Sequence, residues 1–314
     1  MTERVRGAAE LGNGGLRFVT EQPTRPDGVA APLPQRKLGV DYDTAWARRY
    51  PVRLARAIVL DDISRPVLRL ALSPRVIGLE HLDPVQGPMI LAANHASHLD
   101  TALLLSILPP RLRHHTIVAA AADYFFDRHW KAAVWSFGLG AIPMERTKVN
   151  RRSADLAAHL IDDGWSLIIF PEGGRTPDGW AREFKGGASY LAKRCGVPVI
   201  PVHIRGTRAV LAKSSSRFRP GATEIRLGDA LMPDEDEDAR KFAARIEKAV
   251  AALADEAESD WWSARRRAAA GTTPPFRGPQ VSAWRREWAL PDSARKDQRP
   301  VRERHRHKPW ESDD

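Results

Sequence analysis

A single cysteine, Cys195, stands in 314 residues. That excludes an intramolecular disulfide and suits a reducing compartment. No run of about 18 apolar residues occurs, so no conventional transmembrane helix is expected. Residues 1–38 lack the apolar stretch of a secretory leader. They carry Gly, Pro and charge without periodicity, and residues 1–41 are expected to be disordered. No internal repeat is visible. What remains is a chain long enough for one large domain with appendages, 43% apolar and therefore able to build a full core.

Acidic residues are also in deficit. The formal net charge is +10, and residues 263–314 hold thirteen Lys/Arg against seven Asp/Glu. The same stretch carries Trp284, Trp288, Trp310 and many prolines, from Pro274 to Pro309. Basic residues interleaved with Trp suit an anionic membrane surface, where cations are attracted and Trp favours the interface. Nucleic acid is the competing partner, through phosphate neutralisation, but it rests on this tail alone. A solvated, inert tail is the plain alternative.

Residues 42–74 read as short helices broken near Pro51 and Pro66. Apolar Trp46, Leu54, Ile58, Leu68 and Leu70 alternate there with Arg48, Arg49, Arg53, Arg56, Arg65 and Arg69. Such a segment either lies in a membrane interface or packs on a domain. The interfacial choice makes the protein peripheral or monotopic, on the cytoplasmic face of the membrane.

From residue 75 to 262, strands and helices alternate. Strands are expected over 75–79, 88–93, 116–121, 140–144, 166–170, 198–204 and 222–227, and helices over 99–108, 127–137, 150–163 and 186–195. Gly164 and Gly196 fall where helix-terminating glycines belong. This predicts an α/β fold, a mixed sheet of about seven strands flanked by helices. A further helix over 236–258 presents Phe242, Ile246, Val250 and Leu253 as one stripe and reads as a structural cover. Arg265–Arg267 is taken as the end of the ordered part. Phe125, Phe126, Trp130 and Trp135 are core aromatics, the wall of an apolar pocket or a membrane-facing edge.

The most informative stretch is Asn94-His95-Ala96-Ser97-His98-Leu99-Asp100. It lies between an apolar strand and an apolar helix. A His at a strand end and a carboxylate five residues on make a general base and its orienting acid. On a continuous helix residues five apart do not face each other. They meet only across a bend, which Ser97 provides as the expected N-cap of a capping-box-like start. Alone, Asp100 reads equally as a helix cap.

Three further blocks follow in order. Residues 140–146 read Gly-Ala-Ile-Pro-Met-Glu-Arg, residues 170–176 Phe-Pro-Glu-Gly-Gly-Arg-Thr, and residues 197–202 Val-Pro-Val-Ile-Pro-Val. Together with NHASHLD these resemble the glycerolipid acyltransferase family, the lysophosphatidic acid and glycerol-phosphate acyltransferase group, across about residues 75–230.

The resemblance implies roles. His95 would be the base and Asp100 its partner. Arg146, Glu172, Gly173 and Arg175 would hold a phosphorylated acceptor. Lys185 matches a family lysine close behind the third block, and Pro201 would position the acyl donor or shape the pocket. The implied co-substrate is acyl-CoA or acyl carrier protein, with no cofactor or metal. The chemistry agrees with these residue types: a base for the hydroxyl, planar cations for phosphate, and Gly173-Gly174 amides for an oxyanion. Two departures bear on the substrate, Gly174 where Thr is frequent and Pro143 where a bulky apolar residue is common. The prolines of the fourth block suit a sheet edge or strand ends. Two other classes stay open on the residues alone. His95, His98 and Asp100 read as H-x2-H-x-D, a metal hydrolase set. A catalytically silent lipid binder would keep the fold without the chemistry.

Overall fold

The computed structural model describes residues 38–145, 151–176, 179–211 and 217–279. The expectations for residues 1–37 and for the tail beyond 279, with Trp284, Trp288 and Trp310, lie outside the described residues, as does Arg146.

All seven expected strands form: β1 (Pro74–Ile77), β2 (Ile90–Ala93), β3 (Thr116–Ala121), β4 (Ala141–Met144), β5 (Ser166–Ile169), β6 (Val199–Arg205) and β7 (Thr223–Leu227). They make one sheet in the order β1-β7-β6-β2-β5-β3-β4. Every pair is parallel except β6 with β7, so the sheet is mixed.

Alternation along the strands separates two cores. Ile90, Leu167, Ile169 and Val199 face helices α5 (Arg151–Asp162), α6 (Gly187–Cys195) and α8 (Ala239–Glu258). Leu91, Ala93, Ile168, Ile200 and Val202 face α3 (Leu99–Ile107) and Leu72. Both faces are covered, which explains why the central strands are apolar runs instead of alternating ones.

Ahead of β1, helix α1 (Tyr50–Ile58) continues into α2 (Arg65–Leu72). The expected break at Pro66 does not occur. Residues Val59–Ser64 wind as a π-helical turn, with the Arg65 N–H donating to the Leu60 carbonyl five residues back. An α-helix would drive the Pro66 ring into the carbonyl four residues earlier; the wider turn relieves that contact. Residues 38–41, expected to be disordered, are placed: the Gly39 N–H donates to Phe126 O at 2.9 Å and Tyr42 packs on Phe126.

The C-terminal boundary drawn at 262/263 is also too early. Helix α9 (Trp261–Ala270) spans it, capped by the Asp260 side chain accepting from the Ser263 N–H. Beyond it, residues 271–279 lie back on the domain. Phe276 packs against the core, and its carbonyl accepts from the Ala181 N–H. Arg277 makes two short bonds to Glu247 at 2.5 and 2.8 Å. One half-buried aromatic packed on the core and one paired charge tie down a proline-rich stretch that shows no periodicity.

Candidate active site

The strand order places the blocks side by side. β2, which leads into NHASHLD, lies between β5, which leads into the third block, and β6, which is the fourth. Parallel strands end at the same edge, so the loops after β2 and β5 meet at their C-terminal ends, where open α/β sheets place ligands.

Asn94 leaves β2 with its side chain clipped to β6. Its Nδ2 donates to Ile204 O at 2.9 Å, and its Oδ1 accepts from Ile204 N at 2.7 Å. The chain then turns tightly around the Asp100 carboxylate. Oδ2 of Asp100 accepts from the backbone N–H groups of Ala96 at 2.7 Å and Ser97 at 2.8 Å, and lies 3.0 Å from Nδ1 of His95. Asp100 is fully buried and His95 is nearly so. The helix N-cap position is His98, not Ser97. The Ser97 hydroxyl accepts from the Leu99 N–H and donates to Leu211 O at 2.8 Å. The bend exists, but the Asp100 carboxylate and the two amides make it.

With Nδ1 held by Asp100, Nε2 is the nitrogen left for proton transfer, and His95 lines a cavity of about 720 Å³. The imidazole stacks on Phe170, the first residue of the third block, with centroids 4.2 Å apart and planes 25° from parallel. This contact fixes the ring's orientation from the β5 side. The cavity is apolar over most of its wall, with Val118, Phe125, Trp135, Leu139 and Ile169 among the lining residues. At the third block it meets Arg175, Arg182 and Lys185. Trp135 and Leu139 also wall a second cavity of about 160 Å³ beneath the π-helical turn and α2.

Glu172 does not point at the cavity. Its carboxylate accepts from the backbone N–H of His95 at 2.9 Å and of Arg182 at 3.0 Å, and the residue is buried. It is a strut between the first block and the segment carrying Arg182, a correction to its expected place with the acceptor. Burial pushes its carboxyl up to about 7 in spite of the two amides, which pull the other way. Gly173 adopts φ +68°, and a Cβ there would sit 2.9 Å from Lys185 Nζ. The left-handed backbone favours glycine here, and the lysine side chain lies across the space a Cβ would take. Its N–H closes a turn onto Phe170 O at 3.0 Å, so of the two glycine amides only that of Gly174 remains a candidate oxyanion donor.

Pro201 is not in the cavity wall either. It sits buried inside β6, an interior strand and not an edge, beside Ala92 of β2. Its carbonyl accepts from the Gly228 N–H, and its ring packs where a Gly228 side chain would go. Its missing donor faces Gly228, one residue past the end of β7, so the reciprocal bond it forgoes lies at the end of the ladder. Pro143 is buried in β4, the edge strand, where the same tolerance applies.

The aromatic segment divides its work. Phe126 is core, Phe125 and Trp135 line the cavity, and Trp130 is exposed. His98 stacks with Tyr124 at 5.7 Å; burial, then the charges of Arg175 and His95, lower its pKa to about 4. Among the described residues no three His, Cys, Asp or Glu side chains converge as a metal-holding group. Asn94 and Phe170 stand inside the first and third blocks without an expected role, and Arg182 and Thr207 lie outside the blocks. Of these last two only Arg182 left a signal in the sequence, a cation between the third block and Lys185.

Residues 73–205, which hold most of this site, match the Acyltransferase family model. A 1-acyl-sn-glycerol-3-phosphate acyltransferase of Chlamydomonas reinhardtii is 31% identical over 176 residues, 54% of this chain and 50% of that protein. The alpha form from Homo sapiens is 28% identical over 166 residues, 51% of this chain and 57% of that protein. The chain thus spans about half the length of the curated relatives it matches. The crystal structure of PlsC, the 1-acyl-sn-glycerophosphate acyltransferase of Thermotoga maritima, shares the fold with TM-score 0.53 and 24% identity. That match covers 69% of this chain and 84% of PlsC.

Proposed function

We propose that the protein is an O-acyltransferase that moves a fatty acyl group from acyl-CoA or acyl carrier protein to the hydroxyl of a phosphorylated glycerolipid. The acceptor that fits best is 1-acyl-glycerol-3-phosphate, giving phosphatidic acid. The observation that carries this is the His95–Asp100 pair opening on an apolar cavity flanked by Arg175, Arg182 and Lys185. The named relatives act on that acceptor.

In this mechanism Nε2 of His95 takes the acceptor hydroxyl proton as the oxygen attacks the thioester carbonyl carbon. The carbon–oxygen bond forms, the carbon–sulfur bond breaks, and the thiolate leaves with the proton from His95. Asp100 holds the tautomer and stabilises the imidazolium. Arg175 and Lys185 take the acceptor phosphate, Arg175 by its planar fork. The acyl chain occupies the trough between Phe125, Trp135 and Leu139, and the Gly174 amide faces the developing oxyanion.

The protein works at a membrane surface, on its cytoplasmic face, as a peripheral or monotopic enzyme. No described helix is long and apolar enough to cross a bilayer. Support for attachment comes from α1, α2 and the π-helical turn between them, which expose Tyr50, Leu54, Ile58, Ile63, Val67 and Leu70.

The test is an acyl-CoA and acyl carrier protein assay against a panel of acceptors: lysophosphatidic acid, glycerol 3-phosphate, other lysophospholipids and a glycolipid alcohol. Products are identified by mass. Phosphatidic acid from lysophosphatidic acid, with His95→Ala lowering kcat about 10³-fold in a folded protein, is the expected result. Transfer only to an unphosphorylated alcohol would overturn the acceptor assignment, and full activity in His95→Ala the mechanism.

A further inference from the structure

Asp100 is buried without access to water, so each of its acceptor sites must be met by the protein. Oδ2 takes three donors from its own loop: the Ala96 and Ser97 amides and His95 Nδ1. Oδ1 takes one, and it comes from elsewhere. The Thr207 hydroxyl, itself fully buried, lies 2.5 Å from Oδ1. Thr207 is outside the four blocks, just past the end of β6.

The local backbone exists to deliver this hydroxyl. Gly206 adopts φ +88°, and a Cβ there would lie 2.5 Å from Ala222 O. The turn it makes starts a one-turn helix α7 (Thr207–Val210) directly under the His95 loop. The same element accepts from the Ser97 hydroxyl at Leu211 O, while Asn94 clips to Ile204 just before it. Three attachments therefore dock the His95 loop on the end of β6, and only the Thr207 bond reaches the carboxylate.

We propose that Thr207 is a positioning residue for the His95–Asp100 dyad, locking the rotation of the Asp100 carboxylate so that Oδ2 stays aimed at Nδ1. This rests on the acyltransferase reading for its kinetic consequences, not for its geometry. A carboxylate anchored only through Oδ2 can pivot about its Cβ–Cγ bond and trade the imidazole for another donor. It also carries an uncompensated charge on Oδ1, which holds the imidazolium more tightly. The other titratable and charged groups around the pair are His98, Glu172 and Arg175.

The experiment compares Thr207→Val, Thr207→Ser and Thr207→Cys in the full chain. Thr207→Val is expected to lower kcat about ten-fold or more, with KM for donor and acceptor within about two-fold. The acid limb of its kcat/KM profile should move up by about half a pH unit or more. Thr207→Ser keeps the hydroxyl and should behave as wild type. Should the Val variant fail to fold, Ser against Cys decides, because the thiol is a weak donor of similar size. The Nδ1 proton resonance of His95, recorded without substrates, should shift in Val and Cys and not in Ser. An unmoved resonance and pH profile in Val or Cys would overturn the assignment, as would damage in Ser equal to that in Val. A wild type without acyl transfer refutes the proposed function instead, and the resonance still reads out Thr207.

Discussion

At the scale of single residues, Glu172 does two things that conflict. Its carboxylate ties the His95 amide to the Arg182 amide, which favours the anion, and it does so in a buried place that favours the acid. Burial wins. The folded chain holds this proton up to about 7, whereas the ordinary value is 4.5. Between those limits the folded state binds more protons than the unfolded one, so this group's contribution to stability falls as pH rises through the window. The span corresponds to about 3 kcal/mol. Buried His98 and His203, lowered to about 4 and about 3, act with the opposite sign, gaining stability as pH rises toward 6.5. The whole-protein curve is therefore a poor readout. Subtracting the urea-unfolding free energy of Glu172→Gln from that of wild type, pH by pH, isolates the carboxyl. The difference should fall from pH 5 to pH 7 and level off above. A flat difference would show that Glu172 is ionised throughout.

At the scale of elements, the segment after α9 braces the cradle. Ala181 donates to Phe276 O, Gly278 lies against the Trp180 ring, and Arg277 pairs with Glu247, whose carboxylate also accepts from Phe184 N at 3.0 Å. Residues 180–184 carry Arg182 and lead directly into Lys185. Ending the chain at Ala270 should therefore cost activity on a detergent-soluble acceptor, with KM for the acceptor raised more than KM for the thioester. Arg277→Met should fall between truncation and wild type, since it leaves Phe276 seated but Glu247 without its cation. Unchanged KM values after truncation would show that the cradle holds its shape unaided.

At the scale of the molecule, the exposed apolar residues are not scattered. Tyr50, Leu54 and Ile58 follow at four-residue steps, Ile63 continues the row within the π-helical turn, and Val67 and Leu70 carry it onto α2. The five-residue step from Ile58 to Ile63 crosses the π-helical turn, whose wider winding takes the additional residue. Leu70 is 86% exposed, which has no reason in a core. Arg49 and Arg69 are exposed on the same two helices, as an anionic bilayer would favour. Each such side chain contributes about 1.5 kcal/mol or more on entering lipid. Leu54→Asp with Leu70→Asp should reduce flotation with anionic vesicles about ten-fold or more, while kcat on a soluble acceptor stays as in wild type. Undiminished flotation would move the attachment elsewhere, and the basic stretch after residue 279 would be the next segment to remove.

The sequence by itself determined the local grammar. Apolar runs marked the central strands, because a parallel strand covered on both faces has to be apolar throughout. Gly164 and Gly196 marked helix ends because only a residue without Cβ enters the left-handed region cheaply. His95 and Asp100 were legible because the two lie five residues apart across one bend. Only the tertiary structure decided where non-local polar groups meet. Glu172 looked like part of a phosphate cradle until the fold brought the His95 and Arg182 amides to it. Pro201 looked like a pocket residue until β6 took an interior position in the sheet. Thr207 gave no signal at all, and Asn94 stood in the first block without announcing its contact, since a hydroxyl or amide names no partner 107 or 110 residues away. Such contacts are set by strand order, and strand order is chosen by the packing of the whole core, which no window of the chain contains.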